Sequence, residues 1–581
     1  MAEIIIMPKL GFNMSVGKLV KWYKNVGDNV VKGEPVFAIE TDKTNIDIEA
    51  TTDGVFRKKF IEEGDSLDVT LPIAIIANAD ENIDAVKAEC LVKLGKEDTN
   101  TSAVEKAPVQ EAKVQEVSKT KESKAFDYDV IVIGGGPGGY VTAIKAAQLG
   151  KKTLIIEKEH FGGVCLNEGC IPTKTLLRSA EALKEVKESA KFGVIDADVK
   201  NAKLDMKKVQ NRKNKVVKQL VGGVEGLLKG NKVTIVNGNG SFVDKNTVEA
   251  NGKKYTAENI IISTGSNVKM LPINVSDKAN VLTSKEALNL DYVLEDMVII
   301  GGGVIGIEFA YFLNSIGTKV TVVEFLDRIL PMVDTEITDQ VTKLLTKSGI
   351  KIYTSAKVYE IKDNSVLFEK DGKTVEIPTS SVLMAVGRQA NTEGLNLEAV
   401  GIKTVRGTIE TNLKLQTNVP NIYAIGDVNG KAMLAHTASM EGIIAIENIC
   451  GHNKEMDYSK IPSAIYIQPE IASVGLTEEQ ARAQYKNVKV GKFPMLANGK
   501  AKVAGEEDGM IKVITDGNLG EILGVHMFCI HATDMIAEAT VAMNLEATAQ
   551  EVINSIHPHP TVSESIHEAF HAAVDKAIHF M

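Results

Sequence analysis

The sequence predicts an α/β chain: two doubly wound dinucleotide-binding domains, then an α+β C-terminal domain, with a small all-β domain in front. Three observations predict it. Two glycine fingerprints each follow an apolar strand, in VIVIGGGPGG (130–139) and VIIGGGVIG (298–306). Strand and helix signals alternate from residue 126 onward. Residues 1–78 instead read as short strands broken by Gly-Asp turns. A chain of 581 residues is too long for one hydrophobic core, so several domains are expected.

In chain order, residues 1–78 carry a weak internal repeat. VGDNV (26–30) and EGDSL (63–67) are followed at the same offset by VFAIE (36–40) and IAIIA (73–77). This suggests two similar half-sheets, with ETDKTN (40–45) near the midpoint. Residues 79–125 read as a flexible linker. A short helix is possible at its start, where Ile83, Val86, Leu91 and Leu94 share a face. The rest has almost no large apolar residues. Residues 126–267 and 268–391 form the two nucleotide domains, 392–459 a central segment and 460–581 the C-terminal domain. In that last part strands such as PSAIYI and MIKVIT precede a helical end, ESIHEAFHAAVDKAIHF.

Composition narrows the function. A formal net charge of −10 and a pI near 5.7 argue against general nucleic-acid binding, which needs a basic field. No apolar run is long enough to span a bilayer, and MAEIIIMPKL lacks signal-peptide character, so a cytoplasmic protein without a membrane is expected. Five cysteines in such a chain are not a disulfide scaffold. In a reducing compartment a disulfide that does exist is usually catalytic.

Gly134, Gly136 and Gly139 permit a tight turn and close backbone approach to a pyrophosphate at a helix N-terminus. Glu157, 23 residues after Gly134, would accept a hydrogen bond from a ribose hydroxyl. Gly301, Gly303, Gly306 and Glu324 repeat the pattern at the same interval. Two copies imply two different dinucleotides. Glu324 would repel a 2′-phosphate, which favours NAD over NADP, with Arg328 a mild counter-signal. Gly426-Asp427 in YAIGDV offers a third phosphate- or ribose-contacting element, or an ordinary turn.

Between the first fingerprint and the rest lies GGVCLNEGCIPTK (162–174), with Cys165 and Cys170 five apart and Lys174 one helical turn beyond. A thiol pair beside a flavin can take electrons from a dithiol and pass them on. A cysteine near a helix N-terminus has a lowered pKa, which favours the thiolate. His559, with Glu564 five residues later, is a candidate acid/base pair, since an unperturbed imidazole titrates near neutrality. His557 is its rival. His567 and His571 have metal-compatible spacing but no evident third ligand, so no metal is expected and they read as surface or interface residues.

The Cys165–Cys170 segment, both fingerprints, ISTGS (262–266), AVGRQAN (385–391), YAIGDV (423–428) and HPHPTVSE (557–564) together resemble the pyridine nucleotide-disulfide oxidoreductases over about 126–581. The resemblance implies an FAD domain, an inserted NAD domain, a central FAD-completing segment and a C-terminal dimerisation domain. It implies FAD held by Gly134, Gly136, Gly139, Glu157, Lys174, Gly240, Thr264, Gly265, Ser266, Gly426, Asp427 and Ala435. For NAD it implies Gly301, Gly303, Gly306, Glu324, Val358 and Gly387. It places Cys170 nearer the flavin and gives Cys165 the exchange with substrate. Lys174 is implied to pair with Glu308 near the flavin, and His559 with Glu564 to serve the partner subunit of a homodimer.

Within the family the pattern is most similar to the branch that oxidises protein-bound dihydrolipoamide with NAD⁺. Glutathione and mercuric reductases are the alternatives. The first usually carries basic residues for NADP where Glu324 stands, and the second a cysteine pair near the C-terminus, where this chain ends KAIHFM. A carrier or scaffold with a silent flavin fold is the non-enzymatic alternative. Residues 1–78 resemble lipoyl domains of flattened-barrel type, with Lys43 as the modified lysine. A biotinyl domain is similar but usually has methionines where Asp42 and Thr44 stand. The lipoyl group and the fold together imply a 2-oxo acid or acetoin dehydrogenase complex, with its lipoyl-bearing acyltransferase as partner.

Overall fold

The computed structural model describes residues 3–8, 16–40, 45–69, 71–78, 80–94, 126–195 and 199–580. The chain divides into two compact units, Met1–Lys121 and Glu122–Met581.

The first unit is two four-stranded antiparallel sheets. One runs in the order Glu3–Ile6, Pro72–Ala77, Gly54–Lys59, Asn29–Val30, and the other Asn45–Glu49, Pro35–Glu40, Val16–Trp22, Ser66–Asp68. The sequence repeat is therefore real but arranged differently from one sheet per half: each sheet draws strands from both halves. The repeated turns are built alike. Asp28 accepts a hydrogen bond from Asn25 N–H (2.7 Å) and Asp65 from Glu62 N–H (2.8 Å), while Gly27 and Gly64 take left-handed φ of +103° and +94°. Trp22, Phe37 and Phe56 fill the interior, with Trp22 5.4 and 5.2 Å from the two phenyl rings.

Part of the stretch assigned to linker is ordered. Asp84–Lys93 is a helix, and Ile83, Val86, Leu91 and Leu94 pack against Phe60, Ile75 and Ala77. The shared apolar face, useless to a free linker, is what docks it. Residues 95–125 lie outside the described residues. So does Lys43, between the paired strand ends Glu40 and Asn45.

The second unit begins with a parallel sheet in the order Thr234–Asn237, Thr153–Glu157, Tyr128–Ile133, Lys253–Ile262, Ile422–Ala424. A hairpin, Ser241–Asp244 with Thr247–Ala250, extends it. The last parallel strand comes from the central segment, so residues far along the chain complete the first domain's sheet. A second parallel sheet runs Val281–Leu282, Val382–Met384, Asp296–Ile300, Lys319–Val323, Lys351–Tyr353. Both are covered on two faces, which is why their strands are nearly continuous apolar runs. The C-terminal part is a five-stranded antiparallel sheet, Ser463–Ile465, Glu470–Gly475, Ile522–Cys529, Met510–Asp516, Val488–Pro494, backed by the helices Ala532–Asn544 and Glu564–Val574. Among the described residues no helix is long and apolar enough to cross a membrane.

Candidate active site

The two fingerprint turns are built by the same contacts. Gly134 has φ +105° and lies so close to Ser263 that a Cβ would stand 2.2 Å from its carbonyl oxygen; Gly301, at +111°, faces Ala385 in the same way at 2.3 Å. Any side chain there would force the turn away from the neighbouring strand. Gly139 and Gly306 sit one helical turn on, directly against the carbonyls of Gly134 and Gly301. Gly136 and Gly303 instead line the cavity, Gly303 facing open space and Gly136 lying against Gly163. Glu157 accepts from Gly135 N–H (2.6 Å) and Glu159 N–H (2.7 Å), and Glu324 accepts from Gly302 N–H and from Leu326 N–H (2.7 Å). Each acid thus has a task that its sequence interval did not disclose: it braces the glycine turn above it.

Both turns open into one cavity of about 2010 Å³. Ordinary ligand clefts are ~300–1,000 Å³, so this one has room for two dinucleotides. Its lining brings together Gly134, Gly136, Glu157, Cys165, Cys170, Lys174, Gly240, Thr264, Gly265, Ser266, Gly426, Asp427 and Ala435 with Gly301, Gly303, Glu324, Val358 and Gly387. Gly139 and Gly306 do not line it; they lie beneath, where they let the helices approach. Arg328 is turned to other work, donating to Thr335 Oγ1 (2.8 Å) and Pro331 O (3.4 Å).

Cys165 lies in the short helix Gly163–Glu168, and Cys170 is the first residue of the helix Cys170–Glu188. Both are free thiols, hydrogen-bonded to each other. The hydrogen bond from Cys165 pulls the Cys170 thiol down to about 7, with Lys174 adding its positive charge against the opposing effect of burial. The same hydrogen bond, with burial, drives the Cys165 thiol up. Cys170 is thus the more acidic thiol of the pair.

Lys174 Nζ meets Glu308 Oε1 and Oε2 at 3.0 and 2.9 Å, and Glu308 is nearly buried, at 4% side-chain exposure. The ammonium also lies 4.5 Å from the centre of the Tyr466 ring, and Tyr466 N–H donates to Glu308 Oε1 (3.0 Å). Three separate segments meet here. Opening such a pair costs ~3–5 kcal/mol, because it strands a buried charge.

Several neighbours were not singled out from sequence. Arg388 donates to Ser266 Oγ (2.7 Å) and Ser266 O (2.6 Å) and stands 3.9 Å from Asp427, which accepts from Ser266 Oγ. Glu441, fully buried, accepts from Gly426 N–H, from Tyr458 OH and from the Asn429 amide (3.0 Å). It fixes the turn that presents Asp427. Arg388 belongs to the AVGRQAN motif, which was a usable signal; Glu441, Tyr458 and Tyr466 had none.

His559 and Glu564 do meet, Nδ1 to Oε1 at 2.9 Å, and Glu564 Oε2 accepts from Thr561 N–H (2.8 Å). Burial works against the Glu564 carboxylate, but the Thr561 N–H and His559 hold its pKa below the usual range. His559 is 79% exposed and is absent from the cavity lining of its own chain. His557 is occupied elsewhere, against Glu538 Oε1 (2.7 Å) and Ser555 O (3.0 Å). His567 is half-buried rather than on the surface: its Nε2 lies 2.9 Å from Ile553 O, and its ring contacts those of His557 and His571 at 5.3 and 4.6 Å.

The family model described as pyridine nucleotide-disulphide oxidoreductase matches residues 128–442, and that family's dimerisation-domain model matches 461–570. A third, for biotin and lipoyl attachment and described as biotin-requiring enzyme, matches 3–76. The chain belongs to the pyridine nucleotide-disulphide oxidoreductases, homodimeric flavoenzymes that use FAD and a nicotinamide dinucleotide.

Its relatives include the dihydrolipoyl dehydrogenase of Bacillus subtilis (strain 168), 48% identical over 78% of this chain and all of that protein. The mitochondrial dihydrolipoyl dehydrogenase of Pisum sativum is 41% identical over 80% of this chain and 94% of its own. Among solved structures, the HOCl-induced flavoprotein disulfide reductase RclA of Escherichia coli aligns over 76% of this chain and 99% of its own, with a TM-score of 0.68 and 28% identity.

Glu324 yields a prediction. Removing it takes away the brace on Gly302 and, if Glu324 also accepts from a ribose hydroxyl, a charge-assisted hydrogen bond worth roughly 1.5–3 kcal/mol. Glu324→Ala is expected to raise the KM for NAD⁺ by about one to two orders of magnitude. Steady-state titration of NAD⁺ and NADP⁺ checks it; wild-type preference for NADP⁺ would refute the role.

Proposed function

We propose that this chain oxidises dihydrolipoyl groups to lipoyl groups and reduces NAD⁺ to NADH, using FAD and the Cys165–Cys170 pair. The observation that carries the reading is the Cys165–Cys170 pair beside the Lys174–Glu308 ion pair, in a cavity that also receives both dinucleotide turns. His559 of the partner subunit, held in orientation by that subunit's own carboxylate at position 564, takes a proton from a substrate thiol. The resulting thiolate attacks Cys165 Sγ of the oxidised pair, and the Cys165–Cys170 bond breaks. Cys170 leaves as a thiolate, which the Lys174 charge stabilises. The second substrate thiol then displaces Cys165, which takes up that thiol's proton as it leaves, releasing a cyclic disulfide and leaving the enzyme two electrons richer. FAD, when bound, relays that electron pair to NAD⁺. Lys174 is held by Glu308, and Arg388 joins Ser266 and Asp427 in the cavity lining. Retention of a yellow flavin and NADH formation from dihydrolipoamide test the reading; a protein that reduces glutathione disulfide instead would overturn it.

The N-terminal unit supports a further part of the proposal. Lys43 carries the lipoyl group, and the enzyme serves a 2-oxo acid or acetoin dehydrogenase complex through its lipoyl-bearing acyltransferase. Lys43→Arg is expected to remove the lipoyl mass increment from the intact chain. It should also abolish NADH-dependent appearance of new thiols on residues 1–78, while turnover of free dihydrolipoamide stays unchanged. Persistent labelling of that unit in Lys43→Arg would refute the assignment.

A further inference from the structure

The segment from Phe325 to Asp334 follows Glu324 and leads into the helix Thr335–Lys347. Phe325, Leu326 and Pro331 line the cavity beside the second glycine turn. The segment is held at both ends. Leu330, buried and at a left-handed φ of +47°, donates its N–H to Gly302 O (2.9 Å), in the middle of that turn. A leucine adopts such a backbone only where its surroundings impose it. At the other end Asp334 caps the helix, accepting from Glu336 N–H (3.1 Å) through Oδ1.

The anchor for Asp334 comes from the C-terminal domain. Lys512, on the strand Met510–Asp516, reaches Asp334 Oδ1 at 2.9 Å, Glu478 Oε2 at 2.7 Å and Glu336 Oε2 at 3.2 Å. Asp334 Oδ2 also accepts from Glu478 N–H at 3.1 Å. Lys512 and Asp334 side chains are each only 3% exposed. Outside them, Lys492 pairs with Glu336 and Arg482 with Glu478, both at 2.7 Å. An apolar pair of the same volume would stabilise the contact as well or better. What the buried lysine adds is one fixed geometry for three carboxylates.

We propose that Lys512 is a positioning residue for the nicotinamide coenzyme: through Asp334 it holds the Phe325–Asp334 wall of the cavity, so the dimerisation domain sets coenzyme affinity. This rests on the reading that the second glycine turn binds NAD⁺. The test uses full-length, FAD-loaded dimer in three forms: wild type, Lys512→Met, and Asp334→Asn/Lys512→Met, the last having no stranded buried charge. In both variants the KM for NAD⁺ and the Kd for NADH by direct titration are expected to rise about tenfold. Single-turnover flavin reduction by dihydrolipoamide should be unchanged, and amide exchange should quicken in Phe325–Asp334 but not in Tyr128–Ile133. A purely structural role would lower the melting temperature and leave KM and Kd in place. A folded variant with both constants within about twofold of wild type overturns the proposal. Wild-type enzyme that binds no NADH would overturn the coenzyme reading, and this proposal with it.

Discussion

Cys165→Ser and Cys170→Ser will each lower dihydrolipoamide:NAD⁺ turnover by roughly a thousandfold or more, as loss of an obligatory nucleophile does. Neither will release FAD, because the glycine turn, Ser266 and Asp427 that would hold it do not depend on the thiols. The two variants differ in a second readout. In Cys165→Ser the serine hydroxyl can still donate to Cys170, and Lys174 remains beside it. The Cys170 thiolate should therefore appear, by ultraviolet absorbance, at a lower pH than an ordinary thiol's. An ordinary thiol would wait until about 8.5. The sign follows from the charges: a donor and a cation favour the deprotonated form, so the thiolate persists above the lowered pKa and is lost below it. Adding Lys174→Met removes the cation and moves the midpoint up. Near-wild-type turnover in either serine variant would refute the disulfide mechanism.

His559→Gln is expected to lower turnover by about 10²–10⁴, the usual worth of a general acid/base. The loss should fall on flavin reduction by the dithiol, since only that half-reaction deprotonates a thiol; transfer from reduced flavin to NAD⁺ should persist. Mixing makes the stronger test. His559 is exposed and away from its own chain's cavity. In a heterodimer of His559→Gln with Cys165→Ser, one site would combine an intact thiol pair with the other subunit's intact base. Random exchange should then restore roughly a quarter of wild-type activity, half the dimers having one of two sites. Heterodimers confirmed by native mass spectrometry but inactive would show that each site is made within one chain.

The parts of this site legible in the sequence are those encoded over short spans. A glycine turn with its acid 23 residues on is one strand–helix–strand unit. Cys165, Cys170 and Lys174 lie close together on two consecutive helices, and Glu564 is close enough along the chain to meet His559 without help from elsewhere. Lys174–Glu308 was reached through family resemblance, since nothing near either residue marks the other. Tyr466, Glu441 and the Lys512–Asp334 anchor remained hidden for the same reason. A single aromatic, acid or lysine has no periodicity, and its meaning comes from what packs against it. The helix Asp84–Lys93 shows the converse: its apolar face was visible, but only the sheet beneath decided that the face would be buried rather than belong to a linker.

By itself, then, the sequence determined two nucleotide turns, a thiol pair, a base with its acid, and a lysine-bearing unit of repeated turns. Backbone chemistry dictates these: glycine's left-handed freedom, strand periodicity, and side chains one helical turn apart. Only the tertiary structure decided that both turns and the thiols share one cavity and that His559 stands outside it. Those outcomes depend on electrostatics and burial between segments hundreds of residues apart, and such energies exist only once the chain has folded.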